Sequence, residues 1–270
     1  MIEFTKLSGN GNDFIAIDNR AGILSERKIP QFAREHCRRH YSLGADGLLL
    51  LENLQEHFMM RYFNKDGSEG ELCGNGARCF ARYLNTMELI GNSTEFNTRA
   101  GKVYAYLKDG MVGIRLGDIS RDRIQLNQQL ELHHVQHYYS FLEVGVPHCV
   151  LFSNGEYLKH YEERNKIGRE IRYRTDIFPE GVNVNFVILK GPHTIDVQTY
   201  ERGVEEITQA CGTGVVASTL ITHLLKGMEP PIEAITQGGK LITLFKSNGN
   251  KFFDIYQEGE VKLIARGTLY

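Results

Sequence analysis

The chain contains the stretch Cys73-Gly-Asn-Gly76, and the same pattern returns 138 positions later as Cys211-Gly-Thr-Gly214 (211 − 73 = 138). A second pair of segments, 98–103 (TRAGKV) and 236–241 (TQGGKL), matches at the same offset (236 − 98 = 138). Two separate matches at one offset indicate an internal repeat. We therefore predict two similarly built halves, each of ordinary domain size.

Each half has the same local pattern around its motif. A polar, turn-rich stretch leads into the cysteine, and an apolar run with helical spacing follows it. The helical positions are Ala77, Phe80, Ala81 and Leu84 in the first half, and Val215, Val216, Thr219, Leu220 and Leu224 in the second. Segments such as Phe14-Ile-Ala-Ile, Val184-Asn-Phe-Val-Ile-Leu and Leu241-Ile-Thr-Leu-Phe are typical of strands. We predict an α/β fold in which each half is a mixed sheet around one long helix, with a boundary near Gly117-Asp118.

Composition narrows the function classes. The 270 residues are 41% hydrophobic and 24% charged, which is typical of a globular protein. A formal charge of -2 offers no broad basic field for nucleic acid or anionic lipid. The first residues lack an apolar stretch of signal-peptide length, and the longest leucine run, 48–51, is too short to cross a bilayer. We expect a cytoplasmic protein that acts on a small molecule, with neither nucleic acid nor a membrane as partner.

The five cysteines are odd in number and scattered, and no pair has C-x-x-C spacing. A disulfide framework or a zinc site is therefore not expected. We predict that Cys79 and Cys149 are buried structural residues, and that Cys37 lies in a charged, exposed helix without a metal. His133, His134 and His137 are expected in a solvated loop or at a strand edge, so we predict no metal site.

Cys73 and Cys211 are the candidates for chemistry. A cysteine just before a helix faces backbone N–H groups and the positive end of the dipole, which favour its thiolate; we therefore expect a lowered pKa. The glycines that follow let an anion such as a carboxylate reach the same N–H groups. A single Cys-Gly would more often be a buried, inert cysteine. Repetition at the same place in both halves favours a catalytic role.

Two thiols on opposite sides of a cleft between the halves could serve one stereocentre. One thiolate would remove the α-proton of an amino acid, and the other thiol would deliver a proton to the opposite face. The reaction would be racemisation or epimerisation, and the helix ends would stabilise the charge that develops on the carboxylate. A closed cleft would also exclude water.

These motifs resemble those of the diaminopimelate epimerase family along the whole chain. Ser8-Gly-Asn-Gly-Asn-Asp-Phe14 is similar to the family's opening signature, and Gly44-Ala-Asp-Gly47 to its next turn. The segments 64–79 and 201–214, which contain Cys73 and Cys211, are similar to its two cysteine motifs. The resemblance implies two pseudo-symmetric α/β domains, 1–117 with 259–270 returning to it and 118–258. It also implies a homodimer without pyridoxal phosphate, other cofactor or metal.

The resemblance also implies the role of individual residues. Cys73 and Cys211 would be the two bases, and Glu201 and His148 would lie near the thiols and tune their ionisation. The expected substrate contacts are Gly74, Asn75, Gly212 and Thr213 at the reacting carboxylate, and Asn12, Asn64, Asn183, Glu201 and Arg202 elsewhere on the molecule. Physical chemistry is consistent with these roles, since an arginine fork suits a carboxylate and asparagines suit a zwitterion.

Simpler roles remain open for several of these residues. Asn64 and Asn183 could be ordinary turn residues, and His148 could be a satisfied structural histidine. Arg202 could form a surface ion pair with Glu205 or Glu206.

The chain departs from the family pattern at two positions. Val146 stands where many members have Asn, and Gly47 stands where some have Gln. Both departures concern the distal end of the substrate. The leading hypothesis is interconversion of LL- and meso-diaminopimelate, a step toward lysine and cell-wall peptide. The alternatives are a racemase of another amino acid and a thiol redox or amino-acid binding protein.

Overall fold

The computed structural model describes residues 1–153 and 160–270. Within these residues the chain forms two compact units. The first unit comprises Met1–Arg115 and Glu258–Tyr270, and the second comprises Leu116–Gln257.

The first unit is a sheet with two helices. Its elements are β1 (Ile2–Gly9), β2 (Asn12–Asp18), α1 (Ile29–His36), β3 (Gly47–Leu54), β4 (His57–Asn64), β5 (Glu69–Gly70), α2 (Gly74–Thr86), β6 (Ser93–Thr98), β7 (Gly101–Lys108) and β8 (Met111–Arg115). The last strand, β17 (Lys251–Leu269), ends in this unit, where it pairs antiparallel with β1.

Strand pairing makes this a mixed sheet. β1 is antiparallel to β2, and β2 is parallel to β3. β3 is antiparallel to β4, β4 is parallel to β6, and β6 is antiparallel to β7. Parallel neighbours need a crossover connection, and α1 and α2 lie in the two connections that join such pairs.

The second unit contains the corresponding elements. They are β9 (Ile119–Ser120), a 3-10 turn (Arg121–Arg123), β10 (Gln125–Leu132), β11 (Val135–Val144), β12 (Val146–Phe152), α3 (Tyr161–Arg172), β13 (Asn183–Gly191), β14 (Thr194–Tyr200), α4 (Gly212–Lys226), β15 (Ile232–Thr236), β16 (Gly239–Ser247) and the start of β17. From β11 to β16 the pairings run antiparallel, parallel, antiparallel, parallel, antiparallel. This is the order found from β1 to β7, so the two units are pseudo-symmetric.

The helices α2 and α4 begin directly after the two repeated cysteines. α2 packs against β1, β2, β3, β4, β7 and β8, and α4 packs against β11 to β16. α4 ends at Gly227, whose φ of 67° is the left-handed conformation that glycine adopts without strain at a helix end. Among the helices of the described residues, none combines the length and apolar character needed to cross a membrane.

Both faces of the central strands are buried. In the second unit Val150 lies in the core around α4, whereas its neighbours Cys149 and Leu151 lie in the core that includes Ile171 of α3. In the first unit the leucine run 48–51 is fully buried, and Leu48 and Leu50 pack in the core that contains α1. Burying such a side chain stabilises the fold by roughly 1.5–3 kcal/mol. A continuous apolar strand is the pattern expected for a sheet covered on both faces.

The predicted strands at 14–17, 184–189 and 241–245 are present, as are the helices after both motifs. These elements confirm the α/β class and the internal repeat.

Candidate active site

Each repeated cysteine occupies the N-cap position of its helix, and both are half-buried. Cys73 has extended backbone angles (φ −125°, ψ 119°), and its sulfur accepts a hydrogen bond from the Gly76 N–H at 3.4 Å. Cys211 has similar angles (φ −104°, ψ 106°), and its sulfur lies 3.6 Å from the Thr213 hydroxyl. The same backbone geometry therefore presents a thiol at two helix N-termini.

In the first unit, Asn12 and Asn75 are joined directly. The Asn75 amide donates to Oδ1 of Asn12 at 2.5 Å, and the Asn12 amide donates to Oδ2 of Asp46 at 3.3 Å. Oδ1 of Asn75 accepts from the guanidinium of Arg78, which also donates to Asn10 at 3.1 Å. Two residues predicted to contact substrate thus share one hydrogen-bonded chain.

Asn64 lies at the end of β4, ahead of the loop that leads to Cys73. Its Oδ1 accepts from the Tyr62 hydroxyl at 2.6 Å, and its Nδ2 donates to the Ser68 hydroxyl at 3.0 Å. The Tyr62 ring lies over Gly47, where a Cβ would come within 2.6 Å of Cε2 of that ring. Since that ring occupies the space, Gly47 cannot carry a side chain without displacing Tyr62.

In the second unit, Glu201 lies beside Cys211. Burial raises the pKa of Glu201, although hydrogen bonds with Thr208 and Cys211 oppose the shift. Burial also holds the pKa of Cys211 well above its ordinary value, and the charge of Glu201 raises it further. An ionised Glu201 therefore disfavours a thiolate at Cys211.

The prediction that a helix N-terminus lowers the pKa was wrong for Cys211. The Thr213 hydroxyl and the Gly214 N–H do favour the thiolate, as the prediction assumed. Desolvation and the neighbouring carboxyl outweigh them. Burial and the carboxyl of Glu201 therefore favour the protonated form of Cys211.

The motif glycines meet different neighbours. A Cβ at Gly214 would lie 2.2 Å from Oδ1 of Asn185 and 3.0 Å from the Thr199 hydroxyl, so this helix turn packs directly on buried polar groups. The carbonyl of Gly212 accepts from the Gln257 amide at 2.6 Å. The close approach of backbone to side chains requires glycine here.

His148 is fully buried on β12, and burial lowers its pKa to about 3. The Asn185 amide group donates to Nδ1 at 3.2 Å, since Oδ1 of Asn185 already accepts from Thr199 at 2.8 Å. This network assigns the proton of the neutral ring to Nε2. Within residues 1–153 and 160–270, Nε2 of His148 has no hydrogen-bond partner. His148 is therefore not a fully satisfied structural histidine.

Asn183 and Arg202 are brought together with His148. Asn183 pairs in register with His148 across the parallel strands β12 and β13. Its Oδ1 accepts from the backbone N–H of Arg202 at 2.8 Å, and the Arg202 guanidinium donates to the carbonyl of Glu180, also at 2.8 Å. Glu205 pairs instead with Arg172, at 3.2 Å. Asn183 thus fixes the loop that carries Arg202.

The remaining cysteines are core residues. Cys79 and Cys149 are fully buried, and burial raises the pKa of both thiols, as expected for inert cysteines. The expectation that Cys37 lies in an exposed helix was wrong. Cys37 is 2% exposed at the end of α1, and burial raises its pKa to about 12.

The three histidines lie in the hairpin of β10 and β11. His133 and His134 form its exposed turn, where His133 contacts Glu170 at 2.8 Å. The expectation of a solvated loop or strand edge was wrong for His137, which is buried on β11 between β10 and β12. In the part of the chain that the structure describes, no group of three His, Cys, Asp or Glu residues is arranged to hold a metal ion.

Several site residues had no sequence signal of their own. Arg78 sits among apolar helix positions, Asp46 lies within the quoted turn motif, and Asn185 lies in an apolar strand. Gln257 lies far from Gly212 in sequence. A polar residue interrupting a buried apolar pattern is the signal that could have identified Arg78 and Asn185.

Comparison with known proteins identifies the family of this chain. The family model described as diaminopimelate epimerase matches residues 4–118 and 140–264. The diaminopimelate epimerase of Aquifex aeolicus is 36% identical over 283 residues, covering 99% of this chain and 98% of that protein. The diaminopimelate epimerase of Methanocella arvoryzae is 38% identical over 284 residues, covering 99% of this chain and 96% of that protein.

Solved structures share the fold at low sequence identity. A phenazine biosynthesis protein of the PhzF family from Bacillus anthracis has a TM-score of 0.76 at 12% identity, covering 100% of this chain and 99% of that one. A hydroxyproline epimerase from Agrobacterium vitis has a TM-score of 0.66 at 13% identity, covering 98% and 91%. These matches confirm the predicted α/β fold of two pseudo-symmetric domains.

Proposed function

The chain belongs to the diaminopimelate epimerase family, and on that premise we propose that it interconverts LL- and meso-2,6-diaminopimelate with Cys73 and Cys211 as its two proton-transfer groups. An epimerase is an isomerase, and the relatives of this chain carry that activity in their names. The observation that carries the proposal is the placement of a cysteine at the N-cap of α2 and of α4.

The N-terminal ends of α2 and α4 would supply backbone N–H donors that stabilise the charge formed in the reaction. Removing the α-proton of an amino acid leaves a carbanion whose charge spreads into the adjacent carboxylate. The N–H groups of Gly74 and Asn75, and of Gly212 and Thr213, belong to the first turns of α2 and α4, where backbone donors are not used within the helix. Donors fixed in advance can stabilise such a charge, and a single one contributes about 2.7–4 kcal/mol in other enzymes.

The two thiols would exchange roles between the two directions of the reaction. With Cys73 as the thiolate, its sulfur takes the α-proton, and the Cys211 thiol gives its own proton to the opposite face of the carbon. The raised pKa of Cys211 supports this assignment, because a proton donor must begin protonated. In the reverse direction Cys211, now a thiolate, takes the proton and Cys73 returns one.

Glu201 and His148 would tune this exchange. Glu201 acts on Cys211 through its charge. A neutral His148 offers an Nε2–H donor, suited to an anionic group of the bound substrate.

The rest of the substrate would be held by amides and one guanidinium. Asn12, Asn64 and Asn183 can both donate and accept, and Arg202 can pair with a carboxylate. Val146 provides no such group. The Tyr62 ring covers Gly47, so a substrate group that reached this position would meet an aromatic ring.

We further propose that the enzyme needs no cofactor or metal, acts in the cytoplasm on a precursor of lysine and peptidoglycan, and forms a homodimer. Exposed apolar side chains on β17 and at the chain end, Leu263, Ile264 and Tyr270, support the dimer, since they offer apolar area for a second copy.

Substrate identity is tested by deuterium exchange. The reduced protein is incubated in D₂O with LL-diaminopimelate, meso-diaminopimelate and a panel of other amino acids, and α-deuterium is followed by mass spectrometry. We expect exchange with both diaminopimelate isomers and interconversion between them. Exchange only with other amino acids would reject the substrate, and affinity without exchange would reject the enzymatic function.

A further inference from the structure

Arg78 is a fully buried arginine on α2, five residues after Cys73. Its Nη2 donates to Oδ1 of Asn75 and to Oδ1 of Asn10. A guanidinium has only donors, so the oxygen of the Asn75 amide must face it. The Nδ2 of Asn75 then points away from Arg78 and donates to Oδ1 of Asn12.

Asp46 lies at the other end of the same chain of hydrogen bonds. The Nδ2 of Asn12 donates to Oδ2 of Asp46, and that oxygen also accepts from the backbone N–H of Asp13 at 3.2 Å. Oδ1 of Asp46 accepts from Arg39 at 3.0 Å. A carboxylate has only acceptors, so the amino group of Asn12 must face it.

Arg78, which can only donate, and Asp46, which can only accept, therefore stand at the two ends of this hydrogen-bonded chain. The amides of Asn75 and Asn12 lie between them, and each amide could otherwise point either way. Only one direction satisfies every bond from Arg78 through Asn75 and Asn12 to Asp46. Reversing either amide would place two donors or two acceptors against each other, and such a mismatch is costly where the groups are buried. Asn75 is 4% exposed.

We infer that Arg78 and Asp46 are positioning residues that set the direction of the Asn75 and Asn12 amides toward the substrate. This inference rests on the proposed function, in which those two amides contact diaminopimelate. Neither positioning residue needs to touch the substrate. They decide whether it meets an amide oxygen or an amide N–H.

The test compares Asp46→Ala with Arg39→Ala. Asp46→Ala removes the terminal acceptor. Arg39→Ala removes the ion pairs that Arg39 makes with Asp46 and Asp13 but leaves that acceptor in place, and Asp13 keeps its pair with Lys6. We expect Asp46→Ala to raise KM for diaminopimelate roughly tenfold with kcat nearly unchanged, because a hydrogen bond to a charged group is lost. Arg39→Ala should leave KM within about twofold of the wild-type value. An unchanged KM in Asp46→Ala, or an equal rise in Arg39→Ala, would overturn the inference.

The role of Arg78, at the buried end of the hydrogen-bonded chain, is tested by the variants Arg78→Lys and Arg78→Met. Lysine is also a donor-only group and should restore part of the activity that methionine removes. Equal activity in two folded variants would contradict the assignment. Thermal unfolding establishes which variants fold, and the Asp46 comparison stands if neither does.

A second measurement does not depend on substrate. The side-chain NH₂ resonances of Asn12 and Asn75 in ¹⁵N-labelled free protein should shift and exchange faster in Asp46→Ala, but not in Arg39→Ala. Unchanged resonances in Asp46→Ala would overturn the inference even if the wild-type protein turned over no diaminopimelate. Wild-type turnover alone reports on the proposed function, so the two failures are distinguishable.

Discussion

The two cysteines cap equivalent helices, but each has a charged neighbour that the other lacks. In the first unit Arg78 lies buried on the helix that follows Cys73, and Val216 occupies the equivalent position of α4, 138 residues later. In the second unit Glu201 lies beside Cys211, and Phe63 occupies the equivalent position of β4. Repetition of the fold reproduced the helix end and the thiol but not their charged neighbours.

Under the proposed mechanism, this difference would give the two cysteines different ionisation states before substrate binds. The charges of Arg78 and a Cys73 thiolate favour each other, whereas Glu201 opposes a thiolate at Cys211. A thiolate and a thiol are the pair that a two-base epimerase needs before substrate binds. Under the proposed mechanism, these charges would favour a thiolate at Cys73 and a thiol at Cys211.

The largest effect is expected from the cysteines themselves. Cys73→Ser and Cys211→Ser keep the shape of the N-cap, but a hydroxyl is too weak an acid to replace the thiol. Each change should lower turnover by at least about a thousandfold, the range of a lost acid–base group. Cys37→Ala is the control because this thiol packs in the core that contains α1, and it should retain turnover. Assays under reducing conditions exclude disulfide formation, and turnover in either serine variant would contradict the equivalence of the two thiols.

The glycines at the third position after each cysteine are expected to differ in stability. Gly214→Ala would place a Cβ against Asn185 and Thr199 and should destabilise the protein by about 1–3 kcal/mol. Gly76→Ala meets its nearest neighbours at 3.3 Å, which are the Cys73 Cβ and Leu49, and should change stability by less than about 1 kcal/mol. Urea unfolding of both variants measures the difference. Equal destabilisation would show that the two helix starts pack alike.

The charge beside Cys211 is tested by Glu201→Gln. Removing the carboxyl should lower the pKa of Cys211, since Glu201 raises it in the native protein. We expect the pH midpoint of Cys211 alkylation, measured in a Cys73→Ser background, to fall by about one pH unit. Glu205→Gln is the matched control, because Glu205 pairs with Arg172. An unchanged midpoint in Glu201→Gln would remove the charge difference between the halves.

The smallest effect concerns His148 and pH. The pKa of this histidine is about 3 in the folded protein, against 6.5 for an ordinary histidine. Between those values the unfolded chain binds the extra proton, so stability falls as pH falls. From pH 7.5 to 5.5 the loss attributable to His148 should be about 1.4 kcal/mol.

His148→Gln should lose this part of the pH dependence of unfolding by urea, and the exposed His133→Gln should keep it. A slope that persists in His148→Gln would show that other groups dominate. Hydrogen exchange should place the acid sensitivity in the second unit, where the buried histidines of the described residues, His137 and His148, both lie.

The sequence predicted the features that are local or repeated. The offset between Cys73 and Cys211 indicated two similar halves, and the apolar spacing after each motif predicted α2 and α4. Local pattern also placed Cys79 and Cys149 in the core. The prediction of an exposed Cys37 was wrong, because the charged residues around it in the sequence do not reveal that its side chain turns inward at the end of α1.

The charged surroundings of the thiols depend on contacts distant in sequence. Asp46 meets Asn12 because β2 and β3 are parallel neighbours, and burial in the folded chain desolvates Glu201. The effect of a helix dipole on the pKa of a cysteine can be predicted from local sequence, but at Cys211 desolvation outweighs it. Desolvation and contacts between residues distant in sequence can be assessed only when the fold is known.

The measurement that tests the two-base account most directly is a single conversion in D₂O. LL-diaminopimelate is converted by wild-type protein to low extent, and deuterium is determined separately in the meso product and in the remaining substrate. A two-base mechanism predicts a solvent deuteron at the inverted carbon of nearly every product molecule and none in the unreacted substrate, because different thiols take and give the proton. Product that keeps the substrate's own proton, or substrate that exchanges as fast as product forms, would contradict it.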